Sequence, residues 1–398
     1  MPYYRRNLYV LSAAIFLAAV SWNQVMPFLP LFIKELGVKD NLLTWVGWVF
    51  AVQGAASIFA VPFWGKMGDK YGRKPMAIRA GLCLSGIYFG MSVCQTPMQL
   101  VILRVLNGAL TGFIPMSMAL IATNTPEEEA PHSIATVQAI TAAGLIIGPA
   151  IGGLLASMVG YRGSMQVSGI IVFLSIILIW WLVKEPNKTE IVEPTGLLQD
   201  FAMSVRSREL SIIMLAVLVC GVFSGSISPI LALHLSNIRV GMPDWLKGLI
   251  FALPSVALIL TAQSWTRFGG RWGYPRAVYI GLIGAGICGL ALTFVRDIWI
   301  FSTIFFVAGL FLAAVGPSTG AIICTQVHNS FRGRAYGMQQ SASMLGNMIA
   351  PLVATRIGAA LGIPVVFAFV GIVMIAGSVA IPFLASGRQA ESCEENIL

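Results

Sequence analysis

Residues 65–75 read GKMGDKYGRKP, and they lie between two apolar runs each long enough to cross a bilayer. Five charged residues and three glycines occupy these positions, in a chain whose overall charged fraction is 10%. Such a segment belongs in water. Its glycines permit a tight turn that bulkier residues would resist. Lys66, Lys70, Arg73 and Lys74 place it on the cytoplasmic side, because short cytoplasmic loops are rich in Lys and Arg. A single acid, Asp69, sits among them.

Working outward, the 398 residues are 57% hydrophobic, with a mean hydropathy of +0.83. That is too apolar for a water-soluble fold and reads as a polytopic helical membrane protein. One crossing takes about 20 residues, so twelve spans with short loops nearly fill the chain and leave little for a soluble catalytic domain. The net charge of +9 follows the topology rather than a nucleic-acid partner. Seventeen of the 25 Lys and Arg fall on the side of residues 65–75, seven on the other, and Arg104 within a span. This asymmetry puts both termini in the cytoplasm. The six cysteines are scattered with no metal or disulfide spacing. No metal and no cofactor is expected. No Ser-His-acid set or His/Cys/acid cluster suggests an enzyme.

Along the chain, span 1 (near 8–33) carries Asn23 and Gln24 ahead of Pro27 and Pro30. The prolines kink the segment. Two adjacent amides are costly in lipid, so they either line a solute path or bond neighbouring helices. Spans 2 and 3 flank residues 65–75. Span 4 (near 98–122) places Asn107, Thr111 and, one position round, Gly108 on the helical face of Arg104. An arginine inside the membrane is a functional candidate unless it snorkels to the interface. After span 4 comes the acidic run Glu127-Glu128-Glu129. In span 5 (near 132–157), Gly144, Gly148, Gly152 and Gly153 let a neighbouring helix approach closely, while Pro149 bends the span. Residues 185–208 form a connector holding an apolar face of Leu197, Leu198, Phe201 and Val205, which suggests a short helix on the membrane surface.

A shift of about 201 residues superposes the two halves. WGKMGDKYGRKP from Trp64 lies over WTRFGGRWGYPR from Trp265, Gly108 meets Gly309, Pro27 meets Pro229 and Pro149 meets Pro351. The expected fold is therefore all-α, with twelve transmembrane helices in two pseudo-symmetric six-helix bundles, residues 1–184 and 209–398. Repeats of this kind enclose a midplane site in many secondary transporters. The second half contributes Ser224 and Ser226 from span 7, Ser318 from span 10, and Gln339 and Gln340 from span 11 as polar lining. Asp69 aligns with Gly270 and Arg104 with Phe305, so the second half lacks both charges.

None of the sixteen carboxylates falls in the middle of a span. A proton relay usually needs an ionisable group there, so the candidates reduce to Glu35, Asp69 and His234, and the coupling ion stays open. A lining of amides, hydroxyls and aromatic rings with one arginine suits neutral, amphipathic or anionic solutes better than strong cations.

These segments resemble the major facilitator superfamily. Gly65, Asp69, Gly72, Arg73 and Lys74 match its signature loop G-x-x-x-D-R-x-G-R-R/K, with Lys70 replacing the usual Arg. Arg104 to Gly108 resembles its R-x-x-q-G motif, with Asn107 where Gln is common. Gly144 to Gly153 resembles the G-x-x-x-G-P-x-x-G-G motif of its antiporters and exporters. The resemblance covers the whole chain and is nearest the drug:proton antiporter branch with twelve spans. It implies a monomeric multidrug exporter of the bacterial inner membrane, taking a small-molecule substrate and lying among membrane lipid, with proton coupling. By analogy with the family, Gly65, Asp69, Gly72, Arg73 and Lys74 form a conformational latch. Transport of a lipid, lysolipid, sugar or other metabolite, and uptake by symport or facilitated flow, remain open alternatives.

Overall fold

The computed structural model describes residues 3–38, 40–110, 112–126, 128–185, 208–327 and 332–386. Almost all of these are helical, as a chain with too few polar side chains to satisfy backbone groups in lipid must be. The connector expected at 185–208 lies outside the described residues except at its two ends.

In the first half the helices are α1 (Tyr3–Val25), α2 (Leu29–Glu35), α3 (Leu42–Tyr71), α4 (Arg73–Ser92), α5 (Pro97–Leu110), α6 (Phe113–Asn124) and α7 (Ala130–Leu182). In the second they are α8 (Arg208–Ile227), α9 (Leu231–Ile238), α10 (Asp244–Trp272), α11 (Tyr274–Leu292), α12 (Ile298–Leu312), α13 (Val315–Gln326), α14 (Arg332–Leu361) and α15 (Ile363–Ser386). Among the described residues, 10 helical stretches are long and apolar enough to cross a membrane. One of these, His132–Leu182, changes direction at Gly160 (φ 73°, ψ 174°) and so supplies two crossings. The twelfth is α4, whose 20 residues begin with the charged Arg73 and Lys74 and include Arg79.

Breaks within spans fall where the backbone loses a donor or gains freedom. Pro27 and Pro30 replace regular α-helix by a 3-10 turn at Met26–Phe28, between α1 and α2. Gly112, at φ 122°, separates α5 from α6.

By compactness the chain divides into a first unit, Met1–Val192 with Leu231–Ala252, and a second, Glu193–Ile230 with Leu253–Leu398. The first unit is filled by two apolar clusters, one around Phe32, Val49, Tyr88 and Leu100, the other around Leu11, Ile15, Phe113 and Ile179. Within it α1 lies against α7 through the glycines expected to permit close approach. A Cβ on Gly144 would stand 2.6 Å from the Ala19 Cβ, and one on Gly152 2.3 Å from the Gln24 carbonyl oxygen. In the second unit α8 meets α14 in the same manner, where a Cβ on Gly346 would stand 2.5 Å from the Leu218 oxygen.

Candidate functional site

In the first unit the site is built around Arg104. Its side chain is 2% exposed and points inward from α5, donating from Nε to the Val49 carbonyl of α3 at 3.0 Å. It does not snorkel. The guanidinium carbon lies 5.6 Å from the Trp22 ring centroid and 5.7 Å from that of Phe50, a distance at which aromatic faces attract a cation. Nη1 is buried and has no hydrogen-bond partner. No carboxylate among the described residues pairs with this charge. Asn107 is fully buried one turn on, and Thr111 lies outside the described residues.

The two amides of α1 differ. Gln24 is buried and donates to Ser168 Oγ and to the Ser164 carbonyl (3.2 Å) of α7, whereas the half-buried Asn23 donates to Ala19 O of its own helix at 2.8 Å. Gln24 is thus bonded into the helix packing, while its Oε1 has no partner.

At the end bearing the basic loop, Gly72 takes φ 103° between α3 and α4, a conformation that a side chain would oppose. Asp69 accepts from Arg73 Nη2 at 2.9 Å, and Arg73 Nη1 donates to Ala119 O of α6 at 2.8 Å. The carboxylate on a helix N-terminus is a different one, Glu185. It accepts from the backbone N–H groups of Arg73 (2.8 Å) and Lys74 (2.9 Å). In return Lys74 Nζ donates to Trp180 O (3.0 Å) and Val183 O (2.7 Å) at the end of α7. Each helix terminus therefore receives the charge its dipole favours. Gly65 has open space around it.

At the opposite end of the first unit, Gly153 packs against the start of α10. A Cβ there would stand 2.3 Å from the Asp244 carbonyl oxygen, and one on Gly248 would stand 2.2 Å from that of Pro149. Beside this contact, Asp244 accepts from Lys247 Nζ at 2.7 Å and from Tyr161 Oη at 2.9 Å. Lys247 is buried. A Cβ on Gly148 would stand 2.6 Å from the Asn23 Cβ. Glu35 sits 3.8 Å from Arg162, and His234 is buried on α9.

In the second unit, Ser224 and Gln339 line a cavity of about 310 Å³ together with Ser255, Ser343 and Asn347. No ionisable group except the Cys220 thiol lines it. Gln339 Nε2 donates to Thr319 Oγ1 at 3.1 Å, and its Oε1 is buried without a partner. Ser226 and Ser318 are buried and do not line this cavity, and Gln340 is exposed.

Sequence reasoning singled out Arg104, Asp69 and the glycines and did not single out Glu185, Tyr161, Asp244 and Lys247, which the structure draws into bonded clusters. Glu185 had one signal, its position two residues beyond Val183, the last apolar residue of a span. Nothing in the sequence pairs Tyr161 with Asp244.

A multi-pass helical protein whose two halves repeat, with Arg104 buried inside the first, has the architecture of a membrane transporter. The sequence profile of the Major Facilitator Superfamily matches residues 11–246 and 213–392, and the chain belongs to that superfamily. It is similar to "Multidrug resistance protein MdtG" of Proteus mirabilis (strain HI4320), with 31% identity over 93% of this chain and 94% of that protein. The protein of the same name from Salmonella paratyphi C (strain RKS4594) is also 31% identical, over 92% and 91%. Among solved structures, the nucleoside transporter NupG superposes with a TM-score of 0.76 at 13% identity, covering 95% of this chain and 98% of that one. A bacterial homologue of the human lysosomal transporter Spinster superposes with a TM-score of 0.75 at 14% identity, covering 97% and 96%. At those identities the structural likeness speaks for the fold.

Proposed function

We propose that the chain is an exporter of the multidrug-efflux type, moving small neutral, amphipathic or anionic compounds by alternating access in exchange for protons. The observation that carries this is Arg104, a buried cation between two aromatic rings with an unbonded nitrogen and no carboxylate partner. Such a group attracts electron-rich or anionic solutes and repels cations. The name carried by the relatives, multidrug resistance, points the same way.

In this reading, residues 1–184 and 209–398 act as two six-helix bundles joined by 185–208. Arg104, Asn107, Thr111, Asn23 and Gln24 supply polar groups from one, and Ser224, Ser226, Ser318, Gln339 and Gln340 from the other. Gly65, Asp69, Gly72, Arg73 and Lys74 form the latch, and Glu35, Asp69 and His234 are the groups available for coupling to protons. The protein works as a monomer in the bacterial inner membrane, with both termini in the cytoplasm.

Proteoliposomes with an imposed pH gradient and an internal pH dye test this against a panel of lipophilic, neutral and anionic compounds. Substrate-dependent proton release, lost in Arg104→Ala, is expected. Flux without proton movement would overturn the coupling, and flux unchanged in Arg104→Ala would overturn the site.

A further inference from the structure

One cation of the first unit takes no part in the clusters above. Arg79, on α4, lines an open groove of about 700 Å³ with Lys74, Pro75, Ile78, Leu82 and Trp180. Its guanidinium carbon lies 3.4 Å from the ring centroid of Trp64 on α3, and Nε, Nη1 and Nη2 all lack a hydrogen-bond partner. The acids nearby in sequence and structure are already engaged. Asp69 holds Arg73, and both oxygens of Glu185 accept from the start of α4. No carboxylate among the described residues pairs with Arg79. A covered charge is costly to leave unpaired, and no carboxylate among the described residues neutralises this one, which leaves the place for a group from outside the chain.

The groove's depth and walls say what that group is. Arg79 stands six residues beyond the first residue of α4, about 9 Å along the helix. That places it where headgroups meet acyl chains, because the interfacial layers are about 5–7 Å thick on each side. Trp180, which lines the groove, is 63% exposed, and the next residue, Trp181, is 75% exposed, as in the aromatic belts of membrane interfaces. Leu82, 46% exposed, continues the groove with an apolar wall toward the membrane centre. A basic head over an apolar wall, between two spans at the Lys/Arg-rich end, matches an anionic phospholipid, phosphate uppermost and acyl chain below.

We infer that the groove between α4 and the end of α7 is a binding site for an anionic phospholipid, whose phosphate pairs with Arg79 and whose acyl chain lies along Ile78 and Leu82. The inference rests on the membrane-transporter reading but not on the substrate or on proton coupling.

The test is native mass spectrometry of the detergent-purified protein, titrated with phosphatidylglycerol and, separately, with phosphatidylcholine of the same acyl chains. Wild type is expected to bind phosphatidylglycerol at least about fivefold more tightly, the contribution of one basic side chain at a charged surface. Arg79→Gln should erase the difference, Arg79→Lys should keep most of it, and Leu82→Trp should weaken binding by filling the groove with Arg79 intact. Equal affinity for both lipids in wild type, or a preference unchanged in Arg79→Gln, overturns the site. If Arg79→Gln does not fold, an unchanged affinity for phosphatidylglycerol in Leu82→Trp overturns it. Full competition by soluble glycerol phosphate would assign the site to a free anion and overturn the lipid. Flux measured after the same preparations are reconstituted into vesicles separates the two readings, since lipid preference without any flux leaves the site standing and removes the transport function.

Discussion

The two turns that the repeat superposes, Trp64 to Pro75 and Trp265 to Arg276, share a backbone and differ in chemistry. Trp64 Nε1 donates to Ala109 O at 2.7 Å, and Trp265 Nε1 donates to Leu310 O at 2.7 Å. Gly72 has φ 103° and ψ 144°, and Gly273 has φ 97° and ψ 132°. The N–H of Gly72 reaches Gly68 O at 2.9 Å, and that of Gly273 reaches Gly269 O at 2.8 Å. One repeat unit thus kept the indole clamp and the glycine turn twice. The acid and the buried arginine appear once: Asp69 becomes Gly270, and Arg104 becomes Phe305, buried and stacked on Phe301. The shared parts hold a helical hairpin together, whereas the charged parts do something only one half needs.

The largest test of the shared part is steric. A Cβ on Gly108 would stand 2.2 Å from the Gln53 carbonyl oxygen, and one on Gly309 2.5 Å from the Pro254 Cα. Gly108→Val and Gly309→Val should each destabilise by about 3 kcal/mol, the upper range for overpacking at a rigid contact, read as a drop in Tm in detergent. Tolerance of one with loss of the other would show that the two hairpins are not held alike.

The next test probes the difference. Arg104→Ala removes a charge-assisted hydrogen bond worth about 1.5–3 kcal/mol and a cation–π contact of about 0.5–2 kcal/mol. Transport should fall roughly a hundredfold. Phe305→Leu, at the matching position, should leave transport within about threefold, because a volume-conserving apolar swap costs under about 1.5 kcal/mol. Equal losses in the two variants would make Arg104 a packing residue.

Much of this was legible in the sequence because it is carried by residue types with few substitutes. Glycines needing positive φ, tryptophans at a fixed offset and prolines at span breaks announce the repeat, and an arginine in an apolar span announces itself. What stayed hidden are pairings between side chains distant along the chain. Glu185 reads as the polar end of a span, and only the fold brings it 2.8 Å from a backbone N–H more than a hundred residues earlier. Tyr161 and Asp244 each look like ordinary residues at the end of a helix, and hydropathy cannot say that they bond. Arg79 counts in the sequence as one more topogenic charge, since the absence of a partner is a property of three dimensions.

A smaller effect is expected from Glu185→Gln. The amide keeps one acceptor oxygen but loses the negative charge at the start of α4, so stability should fall by about 1 kcal/mol. Gly270→Asp sharpens the comparison. The introduced acid has no arginine four residues on, where Tyr274 stands in place of Arg73, so it should not raise Tm. A gain in Tm would mean that the charged turn is a general stabiliser rather than a device of the first half.

The smallest effect concerns Glu129, in the acidic run that the second half replaces with Phe331-Arg332-Gly333-Arg334. Its Oε1 accepts from Tyr4 Oη at 3.0 Å and from Arg5 Nη2 at 3.1 Å. Those bonds, Arg5 first and then Tyr4, hold its carboxyl below the ordinary carboxylate range. A carboxylate whose folded value is depressed contributes stability that is complete above its unfolded value, about 4.3, and is lost as pH falls through the folded one. The Tm of wild type minus that of Glu129→Gln should therefore be small and positive near pH 7 and shrink toward zero below pH ~4. It should also shrink in high salt, because both partners are solvent-exposed and screened. A difference that is the same at pH 7 and pH 3 would mean that Glu129 acts through hydrogen bonding alone, leaving the charge contrast between the halves confined to Asp69, Glu185 and Arg104.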